Sequence, residues 1–184
     1  MEKREKIISV SSELFHKYGY NSVGLSAILK AVGLPKGSFY YYFSSKEDLL
    51  LEVIRYFVNE TIALFNSFPK TIQGLFGFFN AYFDRFESMG FTRGCPIGNF
   101  ALELSDVNEN ARQCLTSWTQ FMENEIEQLL LEEKHDAGEA VRLSSFIVAA
   151  FEGAILKAKI EKSKKSLEEF NYVIFKNLLR YKEL

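Results

Sequence analysis

LSAILKAVGLPKGSFYYYFSSKEDL, residues 25–49, carries its own punctuation. Leu25, Ile28, Leu29 and Val32 recur at the three- and four-residue spacing of one helical face. Gly33 follows, and glycine takes the left-handed conformation of a helix end without steric penalty. Pro35 cannot extend that helix, but its fixed φ suits the start of another. In the next segment Phe39 and Phe43 are four residues apart and share a face. The residues around them, Lys36, Ser38, Tyr40, Tyr41 and Tyr42, are mostly hydrogen-bond donors. The spacing predicts two short helices joined by a glycine-bearing turn over about residues 25–44. Such a helix-turn-helix places its second helix in the major groove of duplex DNA. Successive helical residues point about 100° apart, so three consecutive tyrosines cannot all face one core and at least one is exposed.

Charge is distributed in keeping with that reading. The whole chain has a formal charge of −2. Residues 1–46 hold Lys3, Arg4, Lys6, Lys17, Lys30, Lys36 and Lys46 against Glu2, Glu5 and Glu13, which is 7 − 3 = +4 and leaves −6 for the remainder. A basic end on an acidic body suits a phosphate-facing module joined to another domain, although ordinary scatter of surface charge can give the same balance.

The segment GLPKGSFYYYFSSKEDLL resembles the helix-turn-helix signature of the TetR family of bacterial transcriptional regulators. Gly33, Gly37, Ser38, Phe39, Tyr40, Tyr42, Phe43, Lys46, Glu47 and Leu49 meet that pattern. Leu29 stands where the family usually has alanine, and Pro35 where it usually has a serine cap. The resemblance implies an all-α chain of about nine helices. An N-terminal three-helix DNA-binding domain, residues 1–47, would precede a helical ligand-binding and dimerisation domain, residues 48–184. It also implies that Ser26, Tyr40, Tyr42 and Lys46 touch DNA phosphates. Gly37 lets the backbone approach DNA closely beside Ser38, Lys36 reaches a phosphate or a guanine edge, and Tyr41 falls at the variable, base-reading position. Phe39 and Phe43 are expected in the core.

Around this segment the pattern is helical throughout. Residues 3–18 predict a first helix with Ile7, Val10, Leu14 and Tyr18 on its stripe, ended by Gly19. A long helix is expected from residue 46 to about 66, capped by Ser44 and Ser45. Residues 71–88 form an aromatic helix, and residues 91–99, with two glycines and a proline, form a loop or a broken helix start before a short helix at 100–104. Amphipathic helices follow over 109–132 and 137–160, and a last one over 167–181. The stretch FTRGCPIGNFALELSD resembles a subset of TetR-like regulators related to multidrug-responsive repressors.

Phenylalanine is used 18 times, mostly after residue 50. An apolar effector is expected among Phe79, Tyr82, Phe83, Phe86, Phe100, Trp118, Phe121 and Met122, although position by position ordinary core packing explains the same residues. The run FIVAAFEGAIL, residues 146–156, is apolar nearly all round, so one side is expected against another subunit. Ala149, Ala150, Gly153 and Ala154 would allow close approach, and Phe170, Ile174 and Leu178 would complete a four-helix interface of a homodimer, as in the family.

The longest uncharged run, residues 71–83, is too short to span a bilayer, and no signal peptide is evident at the amino terminus, so a cytoplasmic protein is expected. Cys95 and Cys114 form no CxxC, and His16 and His135 lie in unrelated segments, so neither a metal nor a cofactor is expected. Two alternatives stay open: the same fold sensing oxidants through Cys95, and a helical enzyme using that thiol near a helix start.

Overall fold

The computed structural model describes residues 2–181, apart from the side chain of Lys36. Among these residues there are eight α-helices, one 3-10 helix, one π-helix and no strand. The chain forms two compact units, one holding the residues up to Glu60 together with Pro96–Thr116, the other Thr61–Cys95 and the residues from Ser117 onward. The boundary expected after residue 47 and the division after Glu60 both fall inside the continuous helix Lys46–Asn66.

In the first unit, helix α1 (Lys3–Tyr18) and helix α2 (Leu25–Val32) pack together. The buried face of α1 is Ile7, Ser11, Ser12 and Phe15, one step round from the stripe read in the sequence. Tyr18 is exposed, and the two small serines let α2 lie close. Gly33 ends α2 in the left-handed conformation, with its N–H and that of Leu34 both returning to the Leu29 carbonyl at 2.9 Å. The second helix of the motif is then a 3-10 helix, Lys36–Tyr41, and not an α-helix. A glycine, a serine and a run of aromatic residues have little helix propensity, and burial of Phe39 and Phe43 fixes the segment instead. Helix α3 (Lys46–Asn66) begins after Ser45, whose hydroxyl accepts from the Asp48 N–H at 3.0 Å.

Helix α5 (Pro96–Leu104) starts four residues before the expected point and belongs to this first unit. Pro96 sits at its first position, where the missing N–H would have had no partner anyway.

In the second unit, helix α4 (Ile72–Ser88) is capped by Thr71, whose hydroxyl accepts from the Gly74 N–H at 3.1 Å. Helix α6 (Glu109–Glu132) passes from one unit into the other along the chain. Helix α7 (Ala137–Glu161) is capped by Asp136, which accepts from Gly138 and Glu139. The last expected helix is divided into α8 (Lys165–Asn171) and a π-helix, Tyr172–Leu178. The wider turn allows the adjacent residues Ile174 and Phe175 both to be buried. The core here is aromatic: Phe79, Phe83, Phe151 and Phe170 stack with centroids 5.0–6.3 Å apart. No helix among the described residues is long and apolar enough to cross a membrane.

Candidate DNA-reading face

The recognition segment, residues 36–43, turns Phe39 and Phe43 inward and Tyr40 and Tyr41 outward. Phe39 and Phe43 are fully buried, whereas Tyr40 is 68% and Tyr41 85% exposed. Tyr42 is half-buried, with its ring edge-on to Tyr41 at 5.0 Å. Gly37 is exposed, its φ is not positive, and a Cβ added there would meet nothing within 4 Å. The fold itself therefore gives no reason for glycine at this position, as expected if something outside the chain approaches its backbone. Ser38 turns its hydroxyl onto the Pro35 carbonyl at 2.7 Å, which steadies the entry to the helix. Ser26 is exposed in the first turn of α2. The side chain of Lys36 lies outside the described residues.

Lys46, expected on a phosphate, is tied to the turn after α1. Its ammonium donates to the Tyr20 carbonyl at 2.7 Å and lies 4.0 Å from the centroid of the Tyr20 ring. Burial pushes its pKa below the ordinary lysine value, and the Glu103 charge opposes that shift. Two other cations of the basic end are also engaged. Arg4 pairs with Glu52 at 2.9 Å and covers the Phe43 ring, and Lys6 donates to the Val32 carbonyl at 3.2 Å. Much of the positive charge counted in the sequence therefore holds the three-helix head together.

Sequence reasoning missed Glu103, on α5. Its carboxylate accepts from two successive backbone N–H groups, Tyr20 at 2.9 Å and Asn21 at 2.6 Å. The turn after α1 is thus clamped through its N–H groups by Glu103 and through its Tyr20 carbonyl by Lys46. At the start of α3, Glu47 accepts from Asn108 at 3.1 Å and from Asn110 at 3.2 Å. The middle of the chain grips both the turn between α1 and α2 and the exit of the recognition segment. Contacts 83 residues apart leave no local signal in the sequence.

Residues 7–53 match the family described as bacterial regulatory proteins, tetR family. Residues 71–172, more than half of the chain, match the family described as transcriptional regulator LmrA/YxaF-like, C-terminal domain. The chain belongs to the TetR family. It is a DNA-binding transcriptional regulator of the helix-turn-helix type, in a family whose members bind DNA and act as dimers. The HTH-type transcriptional repressor DhaR of Mycobacterium sp. (strain GP1) is 30% identical over 189 residues, covering 96% of this chain and 92% of the relative. The repressor NemR of Escherichia coli (strain K12) is 25% identical over 177 residues, covering 91% and 89%. Among solved structures, regulatory protein TetR from Rhodobacter sphaeroides superposes with a TM-score of 0.81 at 29% identity, covering 92% and 95% of the two chains. The reduced form of E. coli NemR gives 0.85 at 25% identity, covering 97% and 98%.

In this TetR-family chain the residues expected around an effector are not all brought together. Phe79, Tyr82 and Phe83 of α4 and Trp118 of α6 pack about Phe151 of α7. Met122 is fully buried. Phe86 pairs with Phe91, and Phe121 with Phe65. Phe100 packs on Phe57 at 6.1 Å in the first unit, to which α5 belongs. The dimer residues divide likewise. Ala149, Gly153 and Leu178 are exposed and Ala150 is half-buried, but Ala154, Phe170 and Ile174 are buried in the chain's own core.

Proposed function

We propose that this regulator represses transcription in the cytoplasm by binding a near-palindromic operator as a homodimer, and that a small apolar molecule releases it. The observation that carries the DNA reading is the outward display of Tyr40 and Tyr41 beside a glycine whose missing side chain the fold does not require. Tyr41 reads bases, Tyr40 and Ser26 touch phosphates, and Tyr42 supports them from its half-buried position. Lys36 adds a phosphate or guanine contact. A C2 dimer would set two such helices about 34–36 Å apart, one turn of duplex.

The surface that supports the dimer is on α7. Phe146, Ala149, Gly153, Leu156 and Ile160 are all exposed and follow one another at spacings of 3, 4, 3 and 4. Gly153 lies inside a helix, where glycine is less favourable than alanine by roughly 1 kcal/mol, and a Cβ there would meet nothing within 4 Å. Close approach of a second α7 accounts for both facts. Tyr172, Val173 and Leu178 extend the exposed apolar surface along the last helix.

Release follows if the effector binds better to a dimer whose recognition segments are wrongly spaced. A thiol-sensing reading is less well supported, because Cys95 is buried and bonded to Tyr82. Gel-shift titration on operator and scrambled duplexes, with and without peroxide, tests these readings together. Operator preference that survives peroxide supports repression by an effector. Equal affinity for every duplex removes the operator, and peroxide release that Cys95→Ser abolishes moves sensing to the thiol.

A further inference from the structure

Within the second unit one polar island lies among the aromatic rings. Tyr82 donates its hydroxyl to the Cys95 Sγ at 3.5 Å, and Cys95 shares a hydrogen bond with the carboxyl of Glu152. Among the described residues, nothing pairs with the other Glu152 oxygen, Oε1, which is shut from solvent. The Glu152 residue as a whole is half-buried, so it is its carboxyl end that is shut in. The next residue along α7, Phe151, forms the middle of the aromatic cluster, with Tyr82, Phe79 and Trp118 around it. A buried carboxyl oxygen without a donor is destabilising, and chains retain such groups where something else supplies the partner.

The chain leading into Cys95 is itself constrained. Gly90, Phe91, Arg93 and Gly94 all have positive φ, between 53° and 79°, which side chains such as those of Phe91 and Arg93 rarely adopt. Lys159 and Lys162, from the end of α7, hold this turn by donating to the Arg93 carbonyl at 3.0 Å and the Phe91 carbonyl at 2.8 Å. Backbone held against its preference beside an unsatisfied buried oxygen is the mark of a site maintained for use.

We infer that Glu152 is the polar anchor of the effector site, and that the effector is an apolar ring bearing a hydrogen-bond donor, a hydroxyl or an amine, directed at Glu152 Oε1. This rests on the reading that the second unit binds an apolar effector, and it specifies that molecule's chemistry. The aromatic cluster takes the ring, and Oε1 takes the donor. Burial raises the Glu152 pKa, with the Cys95 hydrogen bond opposing, so its charge is held back in the empty site. The Tyr82 hydroxyl, whose pKa is pushed well up by burial first and by Cys95 and Glu152 beside it, stays protonated and keeps the Cys95 side of the carboxyl in place.

The test is calorimetric titration of the full chain with 4-ethylphenol and with 4-ethylanisole, which keeps ring and oxygen but lacks the donor. The phenol should bind wild type about tenfold more tightly, the difference expected for one buried hydrogen bond to a carboxyl. Glu152→Gln, which keeps a carbonyl oxygen, should retain part of that preference, and Glu152→Leu should abolish it. Without ligand, Glu152→Leu should melt at a higher temperature than wild type, since it removes an unpaired buried oxygen. Equal affinities in wild type, a preference that survives in Glu152→Leu, binding of neither compound, or a lower melting temperature for that variant would each overturn the anchor. Operator release measured with the same pair separates the two readings: equal release by both compounds sinks the anchor alone. Donor-dependent binding that never releases operator leaves the anchor standing and sinks the effector role.

Discussion

At the scale of single residues, Tyr41 and Lys46 have separable roles, one outward and one within the fold. Tyr41 is 85% exposed, so Tyr41→Ala should leave folding unchanged and relax base preference by about 1 kcal/mol or more. Binding to selected and scrambled duplexes by fluorescence anisotropy would show it; an unchanged ratio would contradict it. Lys46→Ala should instead destabilise the head by about 1 kcal/mol, through loss of its bond to the Tyr20 carbonyl. A slope of binding against log salt that falls by about one would add a phosphate contact to that role. The bond from Lys46 to the Tyr20 carbonyl spans 26 positions and leaves no local signal in the sequence. Glu152 gives a pH prediction. Burial raises its folded pKa above the unfolded value, so the folded state binds the extra proton and stability should rise as pH falls from 7 toward the ordinary carboxylate range. Thermal melts at several pH values should show this gain in wild type and lose it in Glu152→Gln.

At the scale of elements, local punctuation was legible and long-range clamps were not. Gly33 and Pro35 bound the turn of the motif with the conformations their chemistry dictates, and Thr71 and Asp136 start their helices at the expected places. The 3-10 form of the recognition segment, the π-turn over Tyr172–Leu178 and the early start of α5 depend on which side chains find burial, which spacing alone does not fix. Two glycines illustrate the difference. A Cβ at Gly74 would run into the Pro69 carbonyl oxygen, so Gly74→Ala should lower the melting temperature although alanine favours helix. Gly37→Ala meets nothing and should leave the melting temperature alone while weakening operator binding. A melt of the first variant equal to wild type would show that the turn before α4 yields more easily than its geometry indicates.

At the scale of the whole molecule, the helix-turn-helix and the all-helical pattern were readable because they rest on short-range periodicity and on a motif compressed into about twenty residues. The grip of Glu103 on Tyr20 and Asn21 was not, because its partners lie more than eighty positions away and a lone glutamate on an amphipathic helix looks like any solvated charge. That grip makes α5 a positioning element for the DNA-reading head, and Glu103→Ala should weaken operator binding while recognition of the preferred sequence persists. The central claim remains that Tyr40 and Tyr41, turned outward beside Gly37, read duplex DNA from a symmetric pair of chains. Selection of bound fragments from a random duplex library tests it most directly. Enrichment of two inverted half-sites whose centres lie one helical turn apart is the predicted result, and a library that emerges from selection as random as it entered would contradict the account.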